Sequence, residues 1–501
     1  MADFDKDKQV LDEQEYSIDF LQAKIKQLVD NKSIRLLREF FEEYPIADLA
    51  QALESLDLKI QLFCFRTLKT DIAAEVFSYL EDDAKTKLVH SFTEEWGMEI
   101  IQELQSDELA DLLEDLPVNL TRKILAEATQ EKREKVNSIL TYSDDQVGSI
   151  MSVDISILKS NWTCKKALRQ IKRDYKKNAE MSHSFYITDE KGIFLGSITL
   201  EELVFNNDED DLLEDLYTVV ATVHPYDDKE DAAQIFSEHD RSTLPVVSKD
   251  NFLIGMITSD DVIDVIQEEA TEDMYKLAGI NPEGSEEGYL KTSVLKIVKS
   301  RVFWLIILMI SATISQYIIQ KFTDLSENMI AMFNAGISTA VIVSLIPIIS
   351  GSAGNAGSQS STTITRASAL GEIEDKDLKR VIGKEIAVGA VIGVILFIVN
   401  VIRLFIYFAI FKDNTQWVPI IFVILASSLS LFLVVILSKF LGTIIPILAI
   451  KFKKDPAVMS APILATLSDA VSTLIFFGIN ILFLYIGSKS GVFHQAIAPI
   501  S

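Results

Sequence analysis

Cysteine is almost absent: the 501 residues hold two, Cys64 and Cys164. They lie too far apart for a zinc spacing or a disulfide framework, which suits a reducing compartment. No Gly-rich stretch ends in Gly-Lys-Ser/Thr, so a P-loop is excluded. No His/Ser/Asp constellation offers itself for nucleophilic catalysis, and an enzyme is not expected. Basic residues are scarce in the first 290 positions, which hold 30 of the 47 Lys and Arg but 63 of the 73 Asp and Glu, a balance of −33. That excludes nucleic acid and an anionic membrane surface as partners of this half, and it attracts cations. An acidic surface is usually only a solvated one, so its pattern has to carry the argument. The N-terminus is acidic and polar, without the profile of a signal peptide, so the acidic half is expected in the cytoplasm.

What the second half has is long apolar runs. From Lys291 onward the balance is +7, and five spans alternate with short polar loops: Val302 to Ile319, Met329 to Ile349, Ile386 to Ile410, Trp417 to about Leu448, and Ala461 to Ile486. The fourth is over-long, and Lys439 and Pro446 inside it mark a candidate break. Lys296, Lys299 and Arg301 precede the first span. Arg366, Lys376, Lys379, Arg380 and Lys384 fill the second–third loop, and Lys451, Lys453 and Lys454 the fourth–fifth. Positive charge marks the cytoplasmic side. The N-terminus is therefore expected inside and the C-terminus outside a plasma membrane, as an odd number of spans requires.

The first 140 or so residues read as amphipathic helices. A degenerate pattern recurs as LAQALESL (Leu49–Leu56), AAEVFSYL (Ala73–Leu80) and LADLLEDL (Leu109–Leu116). Its irregular spacing predicts a small helical superhelix, with a scaffold or interaction surface as the plain reading. From about Gly148 to Gln267 the texture changes to two β-α-β-β-α-like units. One runs from Ile155 through a helix at Cys164–Tyr175 and the strands SFYITD and IFLGSITL to a helix at Glu201. The other takes VVATVHPYDD, a helix from Lys229 and RSTLPVVSKDNFLIGMITSDDVIDVI. LPVV, the Gly255, Thr258, Asp261 spacing and Val223-His224-Pro225 stand in the order of a CBS module, so this region resembles a tandem CBS pair. That resemblance implies a regulatory module that dimerises and binds adenine nucleotides or divalent cations. Residues 268–300 then read as a short acidic helix, a Gly/Asn/Pro break and a helix entering the membrane.

One carboxylate, Asp469, stands alone in the apolar run from Ala461 to Gly487. A charge at that depth costs several kcal/mol unless it meets water, an ion or a partner. Its short stem snorkels poorly, which favours an ion over helix pairing. The second span ends at Pro347 and runs into GSAGNAGSQSSTTITRASALGEI (Gly351 to Ile373). Glycine clusters let helices break and free carbonyls to line a pore; small residues equally make a packing seam.

Pro347, GSAGNAGSQSSTTITRA, DPA at Asp455–Ala457 and APILATLSDAV at Ala461–Val471 occur in order within the five spans. The chain from about Gln22 to Ile486 thereby resembles the MgtE family of magnesium channels and transporters. The resemblance implies a multidomain protein: a helical N-domain over 1–140, tandem CBS modules over 141–267, a connecting helix over 268–300 and a five-helix pore domain over 301–501. It implies a homodimer in the lipid bilayer, with the pore between the second and fifth spans of two subunits and Asp469 facing its symmetry mate. Mg²⁺ sheds water reluctantly, so paired carboxylates would hold it through its hydration shell, aided by backbone oxygens around Ala461 and Ala465.

The family's magnesium sensor falls on Asp228, Glu230, Asp240, Asp261 and Asp264 of the second CBS module. It continues with Glu269, Glu272 and Asp273 of the connecting helix, Asp455, Gly148, and Glu75, Asp107 and Asp111 of the N-domain. Independently of the resemblance, Asp261/Asp264 and Glu269/Glu272/Asp273 are spaced to share helix faces, where like charges repel unless neutralised. Mg²⁺ is thus both permeant and regulatory, and its binding would close the pore. Members that bind ATP tend to carry Arg-Asp where this chain has Glu201-Glu202. Carboxylates repel phosphates, so ATP is disfavoured, with Thr258 and Asp260 left as the residues for a ribose. The alternatives are a carrier for Mn²⁺ or Co²⁺, which oxygen ligands separate poorly from Mg²⁺, and an ATP-driven membrane enzyme, against which the missing P-loop argues.

Overall fold

Short amphipathic helices build the first part of the chain because each carries an apolar stripe and most start from a proline or a polar residue, among them Ser17, Pro45, Asp57, Pro117 and Thr129. The computed structural model describes residues 17–92, 95–177, 179–205, 210–239, 241–282, 289–290, 292–333, 337–369, 372–373, 375–411, 417–452 and 454–490. The chain forms two units, 1–267 and 268–501.

In the first unit, ten helices among the described residues run from α1 (Ile18–Asp30) to α10 (Gln130–Ile139). The Ser17 hydroxyl caps α1 by accepting the Phe20 N–H at 3.2 Å, and Thr129 caps α10 likewise through Lys132. The three related octads supply equivalent faces. Leu49, Ala50, Ala52 and Leu53 of α3 (Ile46–Glu54), Ala73, Ala74, Val76 and Phe77 of α5 (Thr70–Ser78), and Leu109, Ala110, Leu112 and Leu113 of α8 (Ser106–Asp115) are all buried. Helices pack on their next-but-one neighbours, α1 on α3, α3 on α5 and α8 on α10. One core results, with Phe65, Phe77 and Phe92 at its centre.

The CBS region follows in two sheets. β1 (Ile157–Lys159) pairs parallel to β2 (Ser184–Thr188), which pairs antiparallel to β3 (Phe194–Thr199). Helices α11 (Cys164–Tyr175) and α12 (Leu200–Phe205) complete the first module. In the second, α13 (Lys229–Glu238) precedes the antiparallel pair β4 (Thr243–Val247) and β5 (Leu253–Thr258). Its opening strand is reduced to one parallel bridge, Val223 to Val246. Tyr186 donates its hydroxyl to Thr243 at 2.7 Å, joining the two sheets beside Phe194, Val247 and Met256. The acidic connecting helix is not separate, as expected, but the continuation of α14 (Ser259–Leu277), because no Gly or Pro interrupts that run. It ends at Gly279, whose φ of +69° is one that side-chain-bearing residues rarely adopt.

Among the described residues the second unit holds five helices long and apolar enough to cross a membrane, so the chain is a multi-pass membrane protein. They are α15 (Val294–Phe333), the pair α16 (Thr339–Val343) and α17 (Ile346–Ala369), α18 (Leu378–Phe411), α19 (Trp417–Lys451) and α20 (Pro456–Lys489). α19 packs against α17, α18 and α20. Two expectations are corrected. The second span is not Met329 to Ile349: α15 runs on to Phe333, and α17 continues unbroken through the glycine-rich stretch. The small residues there act as a packing seam. A Cβ on Gly442 would lie 2.1 Å from the Gly357 carbonyl oxygen, so α17 and α19 cross in backbone contact. The break falls earlier, at Ser344–Leu345, ahead of Pro347, whose ring suits a helix's first turn but not its interior. The fourth span does not break either. Lys439 is 4% exposed and pairs with Glu385 of α18 at 3.5 Å, while Ser360 donates to the same carboxylate at 2.6 Å. Paired in this way, the lysine is tolerated inside the bundle.

Candidate functional site

Asp469 lies two turns into the packed part of α20, and Ala461 and Ala465 precede it at four-residue intervals on the same face. The Ser350 hydroxyl, on α17, donates to Asp469 Oδ1 at 2.5 Å, and Ser472 donates to the Asp469 carbonyl at 3.1 Å. Asp469 and Ala465 retain exposure on this single protomer. Near Ser350 the α17 surface is also open, since a Cβ on Gly351 or Gly354 would meet nothing within 4 Å. The carbonyls near Ala465 belong to a continuous helix and keep only their second lone pairs for other partners. The surroundings of Ala461 lie outside the described residues. Sequence reading missed Ser350, one hydroxyl among many. Its signal was its place beside Pro347 at the head of the glycine-rich run.

A second group sits at the α14 end and the start of α20. Lys276 donates to Asp455 at 2.6 Å and also pairs with Glu272 one turn back. Burial opposes its charge, but the bonds to Asp455 and Glu272 prevail and raise its pKa. Asp273, half-buried beside Asp455 and Glu272, is pushed up by burial and then by Asp455. Glu272, Asp273 and Asp455, three expected sensor residues, are thus assembled around one lysine. The spacing of the acids had concealed that lysine's role. Glu269 is part-buried on the same helix.

The first unit gathers a carboxylate cluster. Asp107 and Asp111 stand one turn apart on α8 and interact with Asp261 at the start of α14. Burial, then repulsion from Asp261 and Glu108, pushes Asp107 well above the carboxylate range. Asp111 still touches solvent, yet the protein around it and the charge of Glu114 push it up to about 7. Asp261 is pushed to about 6 by burial, even though the Thr258 hydroxyl donates to it at 2.5 Å. Glu180, which the sequence reading did not single out, reaches about 7 through burial. It sits in an irregular segment between α11 and β2, where no spacing could mark it. Asp264 is exposed on α14.

Gly148 lies where residues 145–148 bond to 225–229: its N–H donates to the Pro225 carbonyl at 2.9 Å, and Gln146 bridges Asp228. A side chain there would strike the Tyr142 ring, 2.2 Å from a built Cβ. Asp228 caps α13 by accepting the Glu230 N–H at 2.9 Å, and both are exposed. Glu75 is exposed on α5, and none of the contacts described here joins it to the cluster. Asp240 lies outside the described residues. Thr258, its hydroxyl committed to Asp261, is a poor ribose ligand, while Asp260 is exposed. Glu202 closes a capping exchange with Thr199, and Glu201 pairs with His183 at 2.9 Å, so two carboxylates occupy the end of β3.

These donor sets are carboxylates, hydroxyls and carbonyls, the oxygen chemistry of a hard divalent cation. Among the described residues no three His, Cys, Asp or Glu side chains converge to ligate a bare ion. Burial first and neighbouring negative charge second raise the carboxylates of the first unit, and a hydrated cation among them would relieve the second.

Comparison with known proteins agrees with this layout. The MgtE divalent cation transporter family matches residues 346–479, the MgtE intracellular N domain matches 44–145, and a CBS domain matches 213–268. A protein of Thermus thermophilus named Magnesium transporter MgtE is 28% identical over 464 residues, covering 92% of this chain and 97% of its own. Proteins of the same name from Enterococcus faecalis and Bacillus subtilis are 29% and 27% identical. They cover 92% and 88% of this chain and 97% and 95% of their own. With all three domain types matched in one order and relatives aligned almost end to end, the chain is similar along its length to the MgtE magnesium transporters.

Proposed function

We propose that this protein carries Mg²⁺ across the plasma membrane as a homodimer and is closed by Mg²⁺ on the cytoplasmic side. The observation that carries the reading is the membrane-depth carboxylate of Asp469, held by Ser350 on a neighbouring helix. The names of the relatives supply the ion. Two such carboxylates, one per subunit, would hold hydrated Mg²⁺ on the axis, where full dehydration is not required. The carbonyls around Ala461 and Ala465 orient its water.

Regulation rests on the acids. In the absence of Mg²⁺, Asp107, Asp111, Glu180 and Asp261 repel one another, and Asp273 is repelled by Glu272 and Asp455, whose charges the single Lys276 offsets only in part. Divalent ions at these groups, and at Gly148, Asp228, Glu230, Asp240, Asp264, Glu269 and Glu75, draw the acidic faces together and hold the connecting helix in the closed state. The expected boundaries, 1–140, 141–267, 268–300 and 301–501, give each domain its part: sensing in the first two, transmission in the third, permeation in the fourth. Orientation follows the loop lysines, with the N-terminus inside. Glu201 and Glu202 disfavour ATP, with Thr258 and Asp260 the residues left for its ribose. A carrier for Mn²⁺ or Co²⁺ is the second reading, since the same oxygen donors accept those ions.

Ion-replacement flux in liposomes, with and without a membrane potential, tests the reading. Mg²⁺ should pass, its rate should follow the potential, and Mn²⁺ and Co²⁺ should compete. Flux of Mn²⁺ or Co²⁺ with none of Mg²⁺ would reject it.

A further inference from the structure

Arg403 places a guanidinium inside the span formed by α18, on a face that is otherwise apolar. Val399 and Ile406, a turn to either side of it, are both exposed. Among the described residues no carboxylate pairs with Arg403. Its partner is neutral: Nε and Nη2 both donate to Asn400 Oδ1, at 3.2 and 2.8 Å. Asn400 is 4% exposed and is itself held, because its Nδ2 donates to the hydroxyl of Ser428 on α19 at 3.0 Å. Ser428 is fully buried, so the guanidinium is fixed from within the bundle. Depth follows from the next turn. The ring of Phe405 lies 5.2 Å from that of Trp417 at the start of α19, and tryptophan concentrates at the membrane–water boundary. Counting about 20 residues of span from Ile386 also reaches Phe405. Arg403 therefore lies just inside the boundary at the C-terminal end of α18. An untied arginine there would snorkel outward; bonded to Asn400, which precedes it in the helix, this one is held on the membrane side.

We propose that Arg403 binds the phosphate of a phospholipid in the leaflet at the C-terminal end of α18, the outer leaflet in the orientation proposed above. Asn400 takes the Nε–Nη2 edge of the planar fork, and the Nη1–Nη2 edge is left for two phosphate oxygens, a match of shape as well as charge. An acyl chain then lies along Val399 and Ile395, which are exposed toward the middle of the span. A charge at this depth is costly until an opposite charge or water reaches it, and one amide oxygen does not neutralise it. A free phosphate would answer the fork but would have to leave water for an apolar face. A lipid without phosphate would cover that face and leave the charge unanswered. A phospholipid does both, and because the fork is held inward the head group is drawn down to it. The inference rests on the membrane spans and is independent of which ion the protein carries.

The test is solid-state magnetic resonance on the full chain, with ¹³C at the arginine Cζ, in phosphatidylcholine bilayers and phosphate-free buffer. Dephasing of a Cζ signal by ³¹P reports a guanidinium at hydrogen-bonding distance from a lipid phosphate. The signal lost in Arg403→Lys isolates Arg403 from the other arginines. That signal should be dephased in the parent, and it should recover in bilayers of a phosphorus-free galactolipid even when millimolar inorganic phosphate is added. Asp413→Asn, a change in a loop outside the described residues, should leave the dephasing as it is. An Arg403 signal that is not dephased in the parent would overturn the proposal, whether a loop carboxylate or a second copy of the chain had taken the lipid's place. Dephasing that appears only in Asp413→Asn would assign Arg403 to that carboxylate and overturn it too. Equal dephasing by inorganic phosphate in the galactolipid would mean a free-anion site and not a lipid one.

Discussion

Ser350 and Asp469, 119 residues apart, are joined by a 2.5 Å hydrogen bond between two membrane helices. The serine donates, which fixes the carboxylate in direction. A hydrogen bond to a charged group contributes about 1.5–3 kcal/mol. Ser350→Ala should therefore slow Mg²⁺ flux in liposomes by roughly tenfold while the protein still folds, and Ser350→Thr should recover most of it. An unchanged rate in Ser350→Ala would remove the serine from the site.

Neutralising Asp261, Asp264, Glu269, Glu272 and Asp273 together should weaken closure by internal Mg²⁺ and leave permeation intact. Flux measured against internal Mg²⁺ reads this out. If inhibition persists at the parent's concentration, these acids are only a solvated face.

The carboxylate cluster makes a prediction in pH. Asp111, Glu180 and Asp261 have pKa values raised from ordinary values of 3.8 to 4.5 to about 6–7. Protons therefore favour the packed arrangement. The stabilisation is full below the ordinary carboxylate range and is lost as pH rises through about 6 to 7. Mg²⁺ must displace those protons, so calorimetry at about pH 6.5 in buffers of different ionisation enthalpy should show proton release, falling toward zero at about pH 8.5. Release that does not change with pH would contradict the cluster's role.

Much of this was legible in the sequence for identifiable reasons. Asp469 is visible because nothing charged surrounds it in its span, and the CBS modules because period-two strands alternate with helices between turn residues. The glycine-rich run misled, since glycine permits a break and close packing equally, and only the meeting of Gly357 with Gly442 decides between them. Glu385 and Lys439 were readable as a pair in principle, being opposite charges near apolar spans, but their partnership depends on how α18 meets α19. Ser350, Glu180 and Lys276 needed three dimensions.

That pair is open to test. Removing one partner of a buried ion pair costs about 3–5 kcal/mol. Lys439→Met should lower the unfolding temperature in detergent markedly, and adding Glu385→Met should restore much of the loss. A single variant as stable as the parent would show the pair to be dispensable.

Divalent bridging and simple screening separate under protease. At 1 M salt the Debye length is about 3 Å, so NaCl screens the acidic half but cannot link two carboxylate groups. Millimolar MgCl₂ should protect residues 268–300 where concentrated NaCl does not, and Asp455→Ala should raise the Mg²⁺ needed. Equal protection at matched ionic strength would leave screening alone.

The most direct measurement of the central claim is Mg²⁺ entry into dye-loaded liposomes carrying the parent or Asp469→Ala, each verified as the same oligomer. The account predicts that the parent admits Mg²⁺, that Asp469→Asn keeps the shape but loses most of the flux, and that Asp469→Ala falls to the level of empty liposomes. Asp469→Ala entry at the parent's rate would contradict it, because no other carboxylate of α20 could then hold the ion.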